Sequence, residues 1–150
     1  MKRKSLCTTA CPIARTLDVI GDWWSLLIVG EAFFGKRRFN EFHKSLGLAK
    51  NILCTRLQKL VSHGIFAACP ASDGSAYQEY ALTEKGRQLY LVLVALQQWG
   101  EKFLSKKGEQ DRLLVDRQSR RPVKPLQLRS QSGRRLGPED LITISISDNK

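Results

Sequence analysis

The sequence is short of acid. It carries 14 Asp and Glu against 25 Lys and Arg, a formal net charge of +11 on 150 residues. Such an imbalance favours polyanionic partners, nucleic acid or an anionic membrane, although basic charge alone is weak evidence. Long apolar runs are also missing. The most apolar window, residues 20–34, is interrupted by Asp22 and Glu31 and is too short to span a bilayer. The start, "MKRKSLCTTACPIA", has a charged head, but Thr8, Thr9 and Pro12 break its apolar stretch, so it does not read as a signal peptide. The expectation is a cytoplasmic chain, associated with the nucleoid if it binds DNA, without a membrane partner. Cysteine is sparse: positions 7, 11, 54 and 69 are expected to be reduced thiols and not a disulfide framework. Nor are there signs of catalysis. There is no phosphate loop, no nucleophile elbow and no carboxylate pair with a plausible cleft. His43 and His63 fall on different helices, and Cys7-x3-Cys11 lacks a nearby His, so no metal or cofactor is expected.

What is present is an ordinary globular composition, 42% hydrophobic and 26% charged, in a chain long enough for one domain with a core. Residues 1–10 read as a basic arm. A helix is predicted from Cys11–Pro12, because proline suits the first helical position, with Ile13, Leu17 and Ile20 on its apolar face and Gly21 closing it. A second helix, Trp23 to Phe34, places Trp24, Leu27, Ile28 and Glu31 at helical spacing and ends at Gly35. Trp23 and Trp24 are read as core packing in preference to a ligand cavity. "KRRFNEFHKSLG" gives a short third helix with Phe39, Phe42 and Leu46 on one side.

The fourth helix lies in "GLAKNILCTRLQKLVSHGIF", residues 47–66. Ala49, Ile52, Leu53, Leu57, Leu60 and Val61 share one face, while Asn51, Cys54, Thr55, Gln58, Lys59 and Ser62 fall opposite. Its outer face is polar with little acid. "IFAACP" and "AYQEYAL", joined by "ASDGS", then read as a β-hairpin with an Asp73–Gly74 turn. Thr83 is predicted to cap one long helix through about Phe103. Its segment Leu89–Leu96 is apolar at seven of eight positions, which calls for cover all round, and a second subunit is the expected cover. Residues 105–150 form a basic extension with an internal repeat. "QSRRPVKPLQL" (118–128) and "QSGRRLGPEDL" (131–141) agree at a 13-residue offset, and each copy reads as a small turn-and-strand unit, the two forming a pair of β-hairpins or a ribbon.

The expected fold is therefore mainly α with a small β wing: a winged helix-turn-helix over residues 11–104, a long C-terminal dimerisation helix, and a short β-rich tail. The short third helix and the loop at Gly47 would hold the fourth helix clear of the core, so that its outer face can enter a major groove about 12 Å wide. Lys50, Asn51 and Thr55 are candidates for base edges, since Asn pairs with adenine and Thr bonds a base or touches a thymine methyl. Lys59 and the Lys36–Arg37–Arg38 cluster are candidates for phosphates, which set register without reading sequence. Arg56 is expected either in an ion pair with Glu41 or on a phosphate. The hairpin tip, from Ser72 to Tyr77, would lie along the backbone or in a minor groove.

These segments, "CPIARTLDVIGDWWSLLIV", "GKRRFNEF", "LAKNILCTRLQKLVSHGIF", "YALTEKGRQL" and "LQQWGEKF", resemble in order and spacing the HxlR family of bacterial winged-helix regulators. The resemblance covers residues 11 to about 104. It implies a homodimeric, sequence-specific DNA-binding regulator, often a repressor, acting on double-stranded DNA at an inverted repeat. Its dimer contacts would come from the first and last helices, here Ile13 and Leu17 with Leu89, Leu93, Leu96 and Trp99. In some relatives the cysteine before the first-helix proline senses oxidants, quinones or aldehydes; the matching position is Cys11. There a helix dipole favours thiolate, with Arg15 one turn on. One departure is Ala49, where many relatives have a serine cap. The competing expectation is a winged-helix assembly module that binds protein and not DNA.

Overall fold

In the computed structural model, which describes residues 4–109 and 112–146, the chain divides into two compact units, Met1–Leu93 and Val94–Lys150. The first holds helices α1 (Pro12–Ile20), α2 (Trp23–Phe33), α3 (Phe39–Leu46) and α4 (Lys50–Ser62), strands β1 (Phe66–Pro70) and β2 (Gln78–Leu82), and the one-turn helix α5 (Glu84–Arg87). Helix α6 (Tyr90–Phe103) begins in the first unit and ends in the second. The division thus falls inside α6.

Local chemistry sets the helix ends. Pro12 opens α1 where its missing N–H costs nothing. The Asp22 carboxylate caps α2 by accepting from the backbone N–H groups of Trp24 (3.1 Å) and Ser25 (2.9 Å). Glu41 reaches back to the amides of Arg37 (2.7 Å) and Arg38 (2.9 Å), satisfying donors at the start of α3. Gly47, at φ 66°, ends α3 in the left-handed conformation that glycine adopts without steric cost. Helix α4 begins at Lys50 although Ala49 supplies no side-chain cap.

The core of the first unit is Ile28 and Val29 of α2, Phe42 of α3, Leu53, Leu57 and Leu60 of α4, and Ile65 and Phe66 at the start of β1. Phe66 meets Phe42 and Tyr80 edge to face, with centroids 6.2 and 6.4 Å apart. Strands β1 and β2 pair antiparallel from Phe66–Leu82 to Pro70–Gln78. The loop before α3 adds a one-bridge third strand: Arg38 bridges Glu79, and Tyr80 N–H donates to the Arg37 carbonyl at 2.7 Å.

Several expectations are corrected. Trp23 is 86% exposed and Trp24 only half-buried, so Trp23 is no core residue. The wheel put Ala49 and Ile52 on the inner face of α4, yet both are exposed; the buried stripe is the narrower i, i+4, i+7 set of Leu53, Leu57 and Leu60. The helix predicted from Thr83 to Phe103 is two helices. Thr83 Oγ1 accepts from Gly86 N–H (3.1 Å) and donates to the Gly64 carbonyl, pinning α5 against the start of β1. Leu89 N–H then bonds back three residues to Gly86, a tightened turn that separates α5 from α6. Gly86 is buried, and a Cβ there would overlap the Ile65 carbonyl oxygen. Gly86→Ala is therefore expected to lose about 1–3 kcal/mol of unfolding free energy by overpacking, measurable by urea denaturation.

In the second unit the tail forms no extended strands among its described residues, but two turns, each closed by a single antiparallel bridge, Val115–Pro122 and Arg129–Arg135, and followed by a 3-10 turn at Pro138–Asp140. Pro122, Pro125 and Pro138 cannot donate to a ladder, which keeps the pairing short. The 13-residue period is nonetheless structural. Arg120 (φ 59°) and Gly133 (φ 88°) are the left-handed positions of the two turns and stand 13 residues apart. The side chain of Gln98 on α6 ties down the strand-like stretch between the turns, donating to the Lys124 carbonyl (3.3 Å) and accepting from Leu126 N–H (2.8 Å).

Candidate nucleic-acid interface

Packing of Leu53, Leu57 and Leu60 leaves Lys50, Asn51, Cys54, Thr55, Gln58 and Ser62 exposed on the outer side of α4. The Asn51 carboxamide has no partner among the described residues, so its donor and acceptor are both available. The Thr55 hydroxyl donates to the Asn51 carbonyl at 2.9 Å. Its proton is thus used within the helix, and the group presents its methyl and an acceptor lone pair outward.

Two cations of this helix are held inward. The Lys59 ammonium donates to the Asp18 carbonyl at 2.8 Å, tying α4 to the end of α1. Arg56 pairs with Asp22, Nε to Oδ1 3.3 Å, and not with Glu41, which is occupied by the Arg37 and Arg38 amides. One carboxylate therefore caps α2 and anchors α4. Burial tends to raise the Asp22 pKa, but hydrogen bonds from Ser25 and the Arg56 charge outweigh it and hold the group ionised below its usual range.

The basic cluster before α3 is divided. Arg38 lies against the wing: its guanidinium meets Glu79 Oε1 at 3.2 Å and Asp73 Oδ2 at 2.6 Å, and sits 5.9 Å from the centre of the Tyr77 ring. Arg37 Nε is 3.3 Å from Glu79 Oε2 but remains half exposed. Ser72 donates to Glu79 Oε1 at 3.0 Å. Glu79, 3% exposed, is thus the hub that locks the hairpin tip to the loop leading into the helix-turn-helix. Residue patterns missed it, because an acid in a strand reads as an outward-facing residue and its arginine partners lie about 40 positions away. Tyr77 stays 65% exposed beside this lock. Of the candidate cations, Lys50 is exposed, Arg37 is half exposed beside Glu79, and Lys36 is partly buried near Glu41.

The lock has a pH signature. Burial pushes the Glu79 pKa up, but hydrogen bonds from Ser72 and Arg38 and the Arg37 charge prevail and leave it lowered. A depressed folded-state pKa stabilises above the unfolded value, roughly 4.3, and that contribution disappears as pH falls through the folded value. Wild type is expected to lose stability on acidification below about pH 4. Glu79→Gln should be less stable at neutral pH and lose less in acid, as followed by denaturation at pH 7 and pH 3.

Of the candidate dimer residues, Ile13 (70%), Leu17 (47%), Leu96 (51%) and Trp99 (56%) are exposed, whereas Leu89 and Leu93 pack partly on the core of the first unit. At Leu89, just before α6, and at Leu93 within it, part of the cover expected from a second subunit thus comes from the same chain. Cys11 is an exposed free thiol at the start of α1. Arg15 does not face it, since its Nε donates to the Thr9 carbonyl. Among the described residues no three His, Cys, Asp or Glu side chains are grouped to hold a metal ion, and no helix is long and apolar enough to cross a membrane.

Comparison with known proteins follows the same outline. The profile of the "HxlR-like helix-turn-helix" family matches residues 19–108. The crystal structure of PA1607, described as a candidate transcription factor, superposes with a TM-score of 0.90 at 52% identity, covering 94% of this chain and 99% of that one. Rv3095 of Mycobacterium tuberculosis, an HTH-type transcriptional regulator, is 44% identical over 92 residues, 61% of this chain and 58% of that protein. The chain thus spans less than two thirds of the length of that relative. HypR, described as a redox regulator and solved in its reduced form, is 34% identical with a TM-score of 0.54, covering 61% of this chain and 92% of that one.

Proposed function

The chain belongs to the HxlR-like helix-turn-helix family, and from that premise we propose that it is a homodimeric, sequence-specific DNA-binding repressor acting at an inverted-repeat operator. The observation that carries this reading is the bare outer face of α4, where Asn51 has an unpartnered carboxamide between Lys50 and Thr55. An asparagine in that state can form the bidentate pair with adenine in the major groove, and the Thr55 methyl suits thymine. Lys36, Arg37 and Lys50 supply phosphate contacts. The ion pairs of Arg38 with Asp73 and Glu79 would hold the wing beside Tyr77, and a wing fixed in this way would cost less ordering entropy on docking.

Dimerisation is supported by apolar side chains uncovered on α1 and α6, among them Ile13 and Trp99. Two copies would then present their α4 helices to successive major grooves about 34 Å apart. A dimer seated on a promoter excludes competing proteins from the same stretch of duplex, which favours repression. Cys11 is the site we infer for a thiol-reactive signal. It is exposed at a helix N-terminus, and a relative is described as a redox regulator.

Selection from random duplexes, with and without oxidant, tests these points together. The expected product is a palindrome with half-sites one helical turn apart. Its affinity should fall with salt by roughly 0.9 log unit per log unit for each phosphate neutralised. Oxidant should release the wild type and not Cys11→Ser. An absence of salt-sensitive DNA binding, with a stable complex of this protein and a different one, would favour the assembly-module reading instead.

A further inference from the structure

We propose that residues 94–146 are half of a core, and that a second copy of this chain supplies the other half through the same segment. The inference rests on the dimeric reading above and extends it from the helices to the C-terminal extension.

The carrying observation is that this compact unit has no core of its own among its described residues. Among its described residues none is buried, although the chain is held in a definite path by the two turns and by Gln98. A domain orders its backbone by removing apolar surface from water, and a handful of local hydrogen bonds does not replace that. The surface to be removed is present. Trp99 (56%) and Phe103 (60%) of α6 are exposed, as are Leu128 (56%), Leu141 (51%), Ile142 (87%) and Ile144 (65%) of the extension. Leu104, Leu113, Leu126 and Ile146 are exposed as well, so the apolar surface is spread over the whole unit, and a stable interface takes about 800 Å² from each partner.

The repeat strengthens the assignment. Leu128 and Leu141 occupy equivalent places in the sequence repeat, 13 residues apart, and are exposed to nearly the same extent. Both follow a proline-interrupted stretch that cannot extend a sheet within its own chain. The likeness to PA1607 covers 94% of this chain, so it takes in most of this extension. A second copy fits better than a duplex, because phosphate contacts by the turn arginines would leave these aliphatic side chains in water. It is also present wherever the chain is, at the concentration of the chain itself.

The test uses the full chain and sedimentation equilibrium over a dilution series. Leu128→Glu combined with Leu141→Glu is expected to raise the dimer dissociation constant by about 100-fold or more, while Leu128→Met with Leu141→Met stays within about threefold of wild type. A wild-type dimer whose dissociation constant the glutamate pair leaves unchanged overturns the inference and spares the helical dimer. A monomeric wild type overturns both. If the glutamate pair leaves the dimer intact and weakens DNA binding, the extension belongs to the duplex and the inference falls. Hydrogen exchange of the wild type is independent of any variant. Amides of residues 112–146 should be protected at high concentration and lose protection on dilution; rapid exchange at every concentration would also overturn it.

Discussion

Phe42→Ala is expected to cost about 3–5 kcal/mol of unfolding free energy, the range for deleting a fully buried aromatic ring. Phe42 has no exposed surface, and its ring meets Phe66 edge to face at 6.2 Å. It is the only fully buried side chain of α3 among the described residues, so it fixes that helix, and through Gly47 the take-off of α4. Domains of this size are stable by only about 5–15 kcal/mol, so the variant should unfold at a much lower denaturant concentration. Trp23→Ala is the control. That ring is 86% exposed, and its loss should change stability by no more than about 0.5 kcal/mol. Urea denaturation of both proteins measures the contrast. Equal effects would mean that α2 and α3 do not pack as described.

Asn51→Ala is expected to reduce discrimination between the selected operator and random duplex by about 10–100-fold, the worth of one bidentate base contact. The slope of log affinity against log salt should not change, because Asn51 neutralises no phosphate. Lys36→Ala should do the reverse, weakening all duplexes alike and reducing the slope by about 0.9. Lys36 is the cleaner probe, since Arg37 also pairs with Glu79 and its removal would loosen the wing. Retained discrimination in Asn51→Ala would remove α4 from the role of reader.

Much of this was readable from residue order. Pro12, Gly21, Gly35, Gly47 and the Asp73–Gly74 turn mark element ends because backbone geometry is a local property of those residues, and α1 to α4 and the hairpin fall where they indicate. The stripe Leu53, Leu57 and Leu60 was legible in the same way, since a helical period needs no knowledge of the partner surface. The outer face of α4 followed as its complement.

Charge was less legible. Arg38 and Lys59 look like phosphate ligands in the sequence, yet one is committed to Glu79 and Asp73 and the other to the Asp18 carbonyl. Those partners lie 35 to 41 positions away in the chain, beyond any local pattern. The break between α5 and α6 escaped as well. Leu89 continues the helical period, and the break shows only in its N–H bonding back three residues to Gly86.

The order of residues determined the elements, the family and the composition of the α4 surface, because caps, turns and periodicity act within a few residues of themselves. Three-dimensional packing decided which cations remain free, how the wing is fastened and that residues 94–146 are uncovered within one chain. Ion pairs and burial depend on which distant segments meet, and no short-range pattern encodes that meeting.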